Sequence, residues 1–156
     1  MITIEDPIEY VHQHKQSIIE QKEIGRDVPD YQIALSWAMR QAPNVILFWE
    51  MRIRKEVEMA LTLAETWHLV FSTMHTRSAA QTISRIVDIF NDSERDQVRI
   101  QLSDALAWIF SQRLLRNANG LWISLAKEVL INNTAISNLI RENDIHQIST
   151  AMQMGR

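Results

Sequence analysis

Apolar residues fall in short blocks along this chain, and the blocks alternate between two spacings. Ile2–Glu5 alternates apolar and polar and stops at Asp6-Pro7, the pattern of a short strand with acids at its carboxyl end. Glu9–Glu23 carries β-like runs around Tyr10–His12 and Ser17–Ile19 and reads as a polar hairpin. Val28-Pro29-Asp30 supplies a proline and a capping carboxylate for a helix start. Ile33, Ala34, Trp37 and Ala38 then mark one helical face up to Arg40. Pro43-Asn44 breaks the chain, and Val45–Trp49, VILFW, is a wholly apolar strand that delivers Glu50. Arg54–Thr66 is helical through Val57, Ala60, Leu61 and Ala64.

In the strand His68–Met74, Leu69, Val70 and Phe71 are consecutive, so both faces carry apolar groups, as in a strand covered on both sides. A helix follows over Ser78–Phe90, and the spacing of Val98, Leu102, Ala105, Leu106 and Ile109 predicts a longer one over Ser93–Leu115. Asn117–Gly120 is a turn, and Leu121–Ile131 a strand pair or one long strand. Asn133 caps Thr134–Glu142, and a short helix covers Ile145–Met154. Strands alternating with helices spell an α/β fold with a mostly parallel sheet flanked by helices and a helical C-terminal segment.

Composition narrows what this fold can do. At 156 residues, 46% hydrophobic and 22% charged, the expectation is one soluble globular domain. Zero cysteines excludes disulfides, thiolate metal sites and a cysteine nucleophile. No apolar run approaches the ~18 residues that span a bilayer, and MITIEDPIEY lacks a leader-like start, so a cytoplasmic protein is expected. A net charge of −3 argues against broad nucleic-acid binding. The three glycines, Gly25, Gly120 and Gly155, stand apart, so no phosphate loop of the form G-x-x-x-x-G-K-[ST] exists in the sequence. The methionines and tryptophans read mostly as core, with Trp37 and Trp108 on helical apolar faces; Trp49 and Trp67 instead adjoin Glu50 and His68.

Two strands end in acid, one at Glu5-Asp6 and one at Glu50. As parallel neighbours they would bring these carboxylates to one sheet edge, where a Mg²⁺-nucleotide site needs oxygen ligands and a carboxylate to polarise water. The plainer reading is that strands end in acids because they end at solvent. His68 and His75, seven apart, fall on opposite faces of one strand, which suits a cap at its start and a group beyond its end better than a metal pair. His12-x-His14 puts two rings on one face, but lacks a third ligand.

The blocks ITIEDPIEYVHQHKQSII, EIGRDVPD, VILFWEMR, AETWHLVFSTMHTRSAAQTISRIVDIF and EVLINNTAISNLIRE resemble, in order and spacing, the motor domain of the type II/IV secretion ATPases, and among them the pilus-retraction branch. The resemblance implies the C-terminal portion of a RecA-like P-loop NTPase core over 1–116, followed by a C-terminal strand and helical segment over 117–156. It implies Glu5 and Asp6 as acids of an Asp box and Glu50 as the catalytic glutamate, with Glu5 beside it in the chemistry. It assigns Arg26, Arg52, His68 and His75 to the nucleotide and Mg²⁺ surroundings. It makes Ala135, Ile136, Asn138, Leu139, Ile140, Arg141 and Glu142 a retraction motif, with Ser137 in place of its usual arginine.

The cofactors implied are ATP and Mg²⁺, with no separate protein metal site. The partners implied are further copies of the chain, six in the family, and an inner-membrane pilus platform protein. Nucleic acid and membrane insertion are not implied, and the location is cytoplasmic, peripheral to the inner membrane. The sequence also departs from the family: Trp49 and Trp67 stand where glycine is usual, Ile53 replaces an aspartate, and Gln41–Asn44 replaces an acidic run. An indole beside a phosphate pocket should fill it or push the strand aside. Two functions follow, a motor fragment inactive in isolation or a non-catalytic assembly module; a histidine-metal hydrolase is a remote third. A sheet without its phosphate-loop strand would expose an apolar edge and invite self-association.

Overall fold

The computed structural model describes residues 1–118, 120 and 122–154, in two compact units, Met1–Met74 and His75–Arg156. Asn119 and Leu121, in the expected turn and at the expected start of the following strand, lie outside the described residues, as do Gly155 and Arg156.

The first unit is a four-stranded parallel sheet in the order β2-β1-β3-β4, with β1 Ile2–Glu5, β2 Glu20–Glu23, β3 Val45–Phe48 and β4 Leu69–Ser72. Ile2 pairs with Ile46 and Ile4 with Phe48, so these four side chains share one face, and all are buried. Two helices, α1 (Tyr31–Arg40) and α2 (Arg54–Glu65), add Ala34, Leu35, Ala38, Ala60 and Leu63 to the same core. Asp30 starts α1 as expected, its carboxylate accepting the Ile33 N–H at 2.8 Å.

Two expectations fail in this unit. No hairpin forms over Glu9–Glu23; instead Glu20–Glu23 runs parallel to β1, from Ile2 opposite Glu20 to Glu5 opposite Glu23. EQKE has no apolar alternation to announce it, and its place is set by β1 and by the long loop before it. β4 is not covered on both sides: it ends the sheet, Leu69 is exposed, and Val70 and Phe71 are half-buried.

The second unit holds α3 (Ala79–Asp88), α4 (Asp92–Ala105), the strands β5 (Trp108–Arg116) and β6 (Ile123–Ile131), then α5 (Thr134–Arg141) and α6 (Ile148–Met154) after a 3₁₀ turn. The helix expected to reach Leu115 stops at Ala105, because Leu106 is extended (φ −66°, ψ 123°) and β5 pairs antiparallel with β6 along its full length. Asn132 donates to the carbonyls of Ser103 and Leu106 at 2.9 and 2.8 Å, satisfying the helix end that would otherwise be orphaned. Trp108 is therefore a strand residue, and an exposed one. β5 and β6 pair with each other within the unit His75–Arg156.

Candidate functional site

Since β1 and β3 are adjacent and parallel, both deliver their last residues to one edge. The ladder runs one step past the strands, with the Trp49 N–H donating to the Ile4 carbonyl at 2.9 Å. Glu5, Asp6 and Glu50 therefore lie on neighbouring chain segments, about one strand spacing (~4.8 Å) apart.

The three carboxylates have different surroundings. Glu5 is half-buried and fixed, accepting from the buried Thr3 hydroxyl at 2.6 Å and from the Gln21 amide at 3.0 Å. The same Gln21 side chain donates to the Tyr10 carbonyl at 2.9 Å and accepts the His12 N–H at 2.7 Å, tying the long loop to the acid. Asp6 is exposed. Glu50 is only 4% exposed and ion-paired with Arg52, whose side chain reaches in from solvent. A buried carboxylate needs such a partner. The hydrogen bond to Glu50 and its charge raise the Arg52 pKa above the usual guanidinium value, with a smaller contribution from Asp6.

The segment carrying Glu50 and Arg52 is held at both ends. Met51 N–H donates to the Thr73 carbonyl at 3.0 Å. One oxygen of the buried Glu56 accepts the backbone N–H groups of Arg52 at 2.6 Å and Ile53 at 3.1 Å, closing the first turn of α2. Tyr31, at the start of α1, completes the surroundings: burial pushes its phenol up to about 12, Asp6 adds to the rise, and Arg52 works against it. The sequence reading missed Tyr31 and Glu56. Tyr31 follows the Asp30 cap directly and Glu56 is the third residue of its helix, so cap spacing was the available signal.

The remaining expected site residues are placed elsewhere. Arg26 pairs with Asp27 at 2.9 Å and Glu23 at 3.7 Å, and the Asp27 hydrogen bond raises the one pKa while lowering the other. His68 precedes β4, at the sheet edge opposite Glu50; its Nδ1 lies 3.2 Å from both the Leu63 carbonyl and the Thr66 hydroxyl, capping the end of α2. In the second unit, His75 is exposed and its carbonyl accepts from Arg85 at 2.8 Å. Residues 135–142 form α5, with Ile136 and Ile140 buried; Ser137 donates to the Ser103 carbonyl at 2.9 Å and Arg141 to Asp104 at 2.8 Å.

Both tryptophans beside expected site residues are exposed to solvent among the described residues. Trp49 is 37% exposed, and Trp67 is 98% exposed at a left-handed φ of 69°. Trp37, expected in the core, is also exposed. Among the described residues no group of three or more His, Asp or Glu could hold a metal ion, and the His12 and His14 pair lies on the irregular loop.

Residues 1–156 match the family described as Type II/IV secretion system protein. The chain is 48% identical over 156 residues to a twitching motility protein of Neisseria gonorrhoeae, covering 100% of this chain and 42% of the relative. It is 45% identical over 155 residues to the type IV pilus retractation ATPase PilT of Pseudomonas aeruginosa, covering 99% and 45%. The crystal structure of the pilus retraction motor PilT with bound ADP matches it with a TM-score of 0.93 and 55% identity, over 99% of this chain and 45% of that one. The chain thus spans less than half the length of these relatives, and shares their α/β fold over that span.

Proposed function

The chain belongs to the type II/IV secretion system protein family, and from this premise we propose that it forms the acid-lined edge of an ATP-hydrolysing motor for type IV pilus retraction. The observation that carries the reading is the meeting of Glu5, Asp6 and Glu50 at one end of β1 and β3, with Arg52 paired to Glu50. Glu50 accepts a hydrogen bond from the attacking water and orients it, the task a buried and positioned carboxylate suits. Arg52 and the Glu56-closed turn fix where that carboxylate points. Glu5, immobilised by Thr3 and Gln21, is a second acceptor, and exposed Asp6 is free to take water from the shell of a hard cation.

These residues fit the water-and-cation side of a nucleotide site and no more. Mg²⁺–ATP would supply the reactive phosphoryl group and the cation, which the described acids and histidines do not cage by themselves. The backbone cradle for the phosphates belongs to polypeptide outside these 156 residues, since the sequence has no glycine-rich loop. Arg26 would have to leave Asp27 to approach a phosphate from across an interface. His68 and His75 sense the nucleotide through β4 and α3 rather than join the chemistry. Residues 135–142 mark the retraction branch. Assembly is into a ring of copies at the cytoplasmic side of the inner membrane, against a pilus platform protein.

A non-catalytic assembly module is the second reading, favoured by one observation: an indole stands at the left-handed position 67, where the family's glycine would be unstrained. A chimera decides between them, with these 156 residues replacing the matching segment of the gonococcal relative. Turnover that falls about 10²-fold or more in Glu50→Gln supports the catalytic edge. Turnover unchanged by Glu50→Gln would sink it, and an inactive chimera that binds a fluorescent ATP analogue only weakly would favour the module.

A further inference from the structure

A cavity of about 130 Å³ opens in the unit His75–Arg156, where α3, α4 and the turn after α5 converge. That volume holds a few water molecules or one small oxyanion. Each of the two long helices presents a pair of residues one turn apart, Ser84 and Asp88 on α3 and Arg95 and Arg99 on α4. Asn143 stands just past the end of α5 at a left-handed φ of 63°, and Val87 and Ile145 supply the apolar wall.

Both guanidinium groups are held by partners that lie in solvent. Arg95 pairs with Asp92 at 2.8 Å and Arg99 with Asp96, and these carboxylates, three residues back on α4, are 92% and 85% exposed. Such surface pairs contribute little and are readily exchanged. Arg99 itself is only 14% exposed, and among the described residues its Nε is buried without a hydrogen-bond partner. A buried donor left so carries its full desolvation penalty, which an incoming acceptor would remove. Asp88 lines the same cavity from α3, and the chemistry of the ligand turns on it. A carboxylate ligand would meet that acid with no proton to offer, and a cation would meet two guanidinium groups. Hydrogen phosphate satisfies both sides: its oxygens accept from the arginines, the Ser84 hydroxyl and the Asn143 amide, and its one proton is donated to the Asp88 carboxylate. Sulfate has the same charge and shape but lacks the proton.

We propose that the cavity between α3, α4 and the end of α5 is a binding site for free hydrogen phosphate, held by Arg95 and Arg99 and selected by Asp88. The ligand draws Arg99 away from exposed Asp96, and the guanidinium turns to bring its Nε onto a phosphate oxygen. The site shares no residue with the acid edge, so the inference stands apart from the catalytic reading and its test measures binding rather than turnover.

Amide chemical shifts of the 156-residue chain are followed while chloride is exchanged for phosphate, sulfate or phenyl phosphate. At about pH 8 all three are dianions, and only hydrogen phosphate retains a proton; constant ionic strength removes differences in screening. Hydrogen phosphate should give saturable shifts at Ser84, Asp88 and Asn143, with sulfate and phenyl phosphate at least about tenfold weaker. Arg99→Gln should weaken phosphate binding by about tenfold or more. Asp88→Asn, at an exposed position, should bring sulfate to within about threefold of phosphate. The melting temperature in chloride controls for folding, and if Arg99→Gln fails to fold, Arg95→Gln takes its place with the same expectation. The absence of saturable shifts, sulfate binding as tightly as phosphate, or binding indifferent to loss of the arginine each overturns the proposal. So does selectivity that survives in Asp88→Asn. Phenyl phosphate matching free phosphate also overturns it, because the recognised group is then a phosphate ester.

Discussion

Glu56 offers the sharpest test of how the acid edge is held. Glu56→Ala removes one carboxylate oxygen that accepts two backbone N–H groups, those of Arg52 and Ile53, in a site where Glu56 is only 7% exposed. Loss of a helix N-terminal cap costs ~0.5–2 kcal/mol, and the favourable interaction of a carboxylate with the first turn adds ~0.3–1 kcal/mol. Two orphaned donors place Glu56→Ala toward the top of that range, about 2 kcal/mol. Glu56→Gln keeps the accepting oxygen and loses only the charge, so it should cost about 0.5 kcal/mol. Urea unfolding followed by circular dichroism at neutral pH gives both values, and the gap between the variants is the informative quantity. In the chimera, Glu56→Ala should also lower kcat more than Glu56→Gln, because the same turn carries Arg52 and aims Glu50. Equal costs for the two variants, or a cost below about 0.3 kcal/mol for Glu56→Ala, would refute the reasoning.

In a Tyr10→Phe variant, Tyr31 is the only tyrosine, and its phenolate absorbance should rise with a midpoint at about 12. Because the folded state keeps that proton longer than the unfolded chain, the stabilisation Tyr31 contributes is whole below pH ~10 and is lost as pH climbs toward about 12; a midpoint near 10 would contradict its burial. Trp67→Gly relieves a left-handed residue that is almost wholly exposed and should stabilise the fold by ~1 kcal/mol, raising the melting temperature by a few degrees; an unchanged or lower melting temperature counts against strain there. Ile140→Ala, at a fully buried position of α5, should cost ~2–5 kcal/mol, whereas exposed Asn138→Ala stays within ~0.5 kcal/mol. Similar costs for the two would mean that α5 does not bury the face described.

Where apolar residues recur at one spacing and a cap marks the start, the sequence told the fold: β1, β3, α1, α2, α3 and α5 lie where they were expected, within a residue or two. β2 was hidden because Glu20–Glu23 owes its place to the neighbouring strand and not to its own side chains. The α4 and β5 junction was hidden for the opposite reason. Leu102, Ala105, Leu106 and Ile109 continue a helical spacing past the point where pairing with β6 takes over, and only a distant partner reveals that. At the site, Glu5, Asp6 and Glu50 were legible because a strand's end announces its edge. Tyr31 and Glu56 were not, since their importance comes from what the fold sets opposite them. Trp37 and Trp108 were misread because bulk and apolarity signal burial only where the fold covers them, and both are nearly half exposed.

One side-chain amide fastens two things that the chain otherwise keeps apart. Gln21 grips Glu5 with the same group that holds the backbone at Tyr10 and His12. The excursion between β1 and β2 is therefore tied to the acid only as far as His12. Its later part is held separately, the His14 ring accepting the Ile19 N–H at 3.2 Å and the Ile18 carbonyl accepting from the N-terminal ammonium at 2.9 Å. Residues between His12 and Ile19 could be lengthened, trimmed or clipped with the acid's mooring left whole. A single deletion ahead of His12 would drag on Gln21 and shift the carboxylate, so tolerance to loop surgery should change abruptly at that residue.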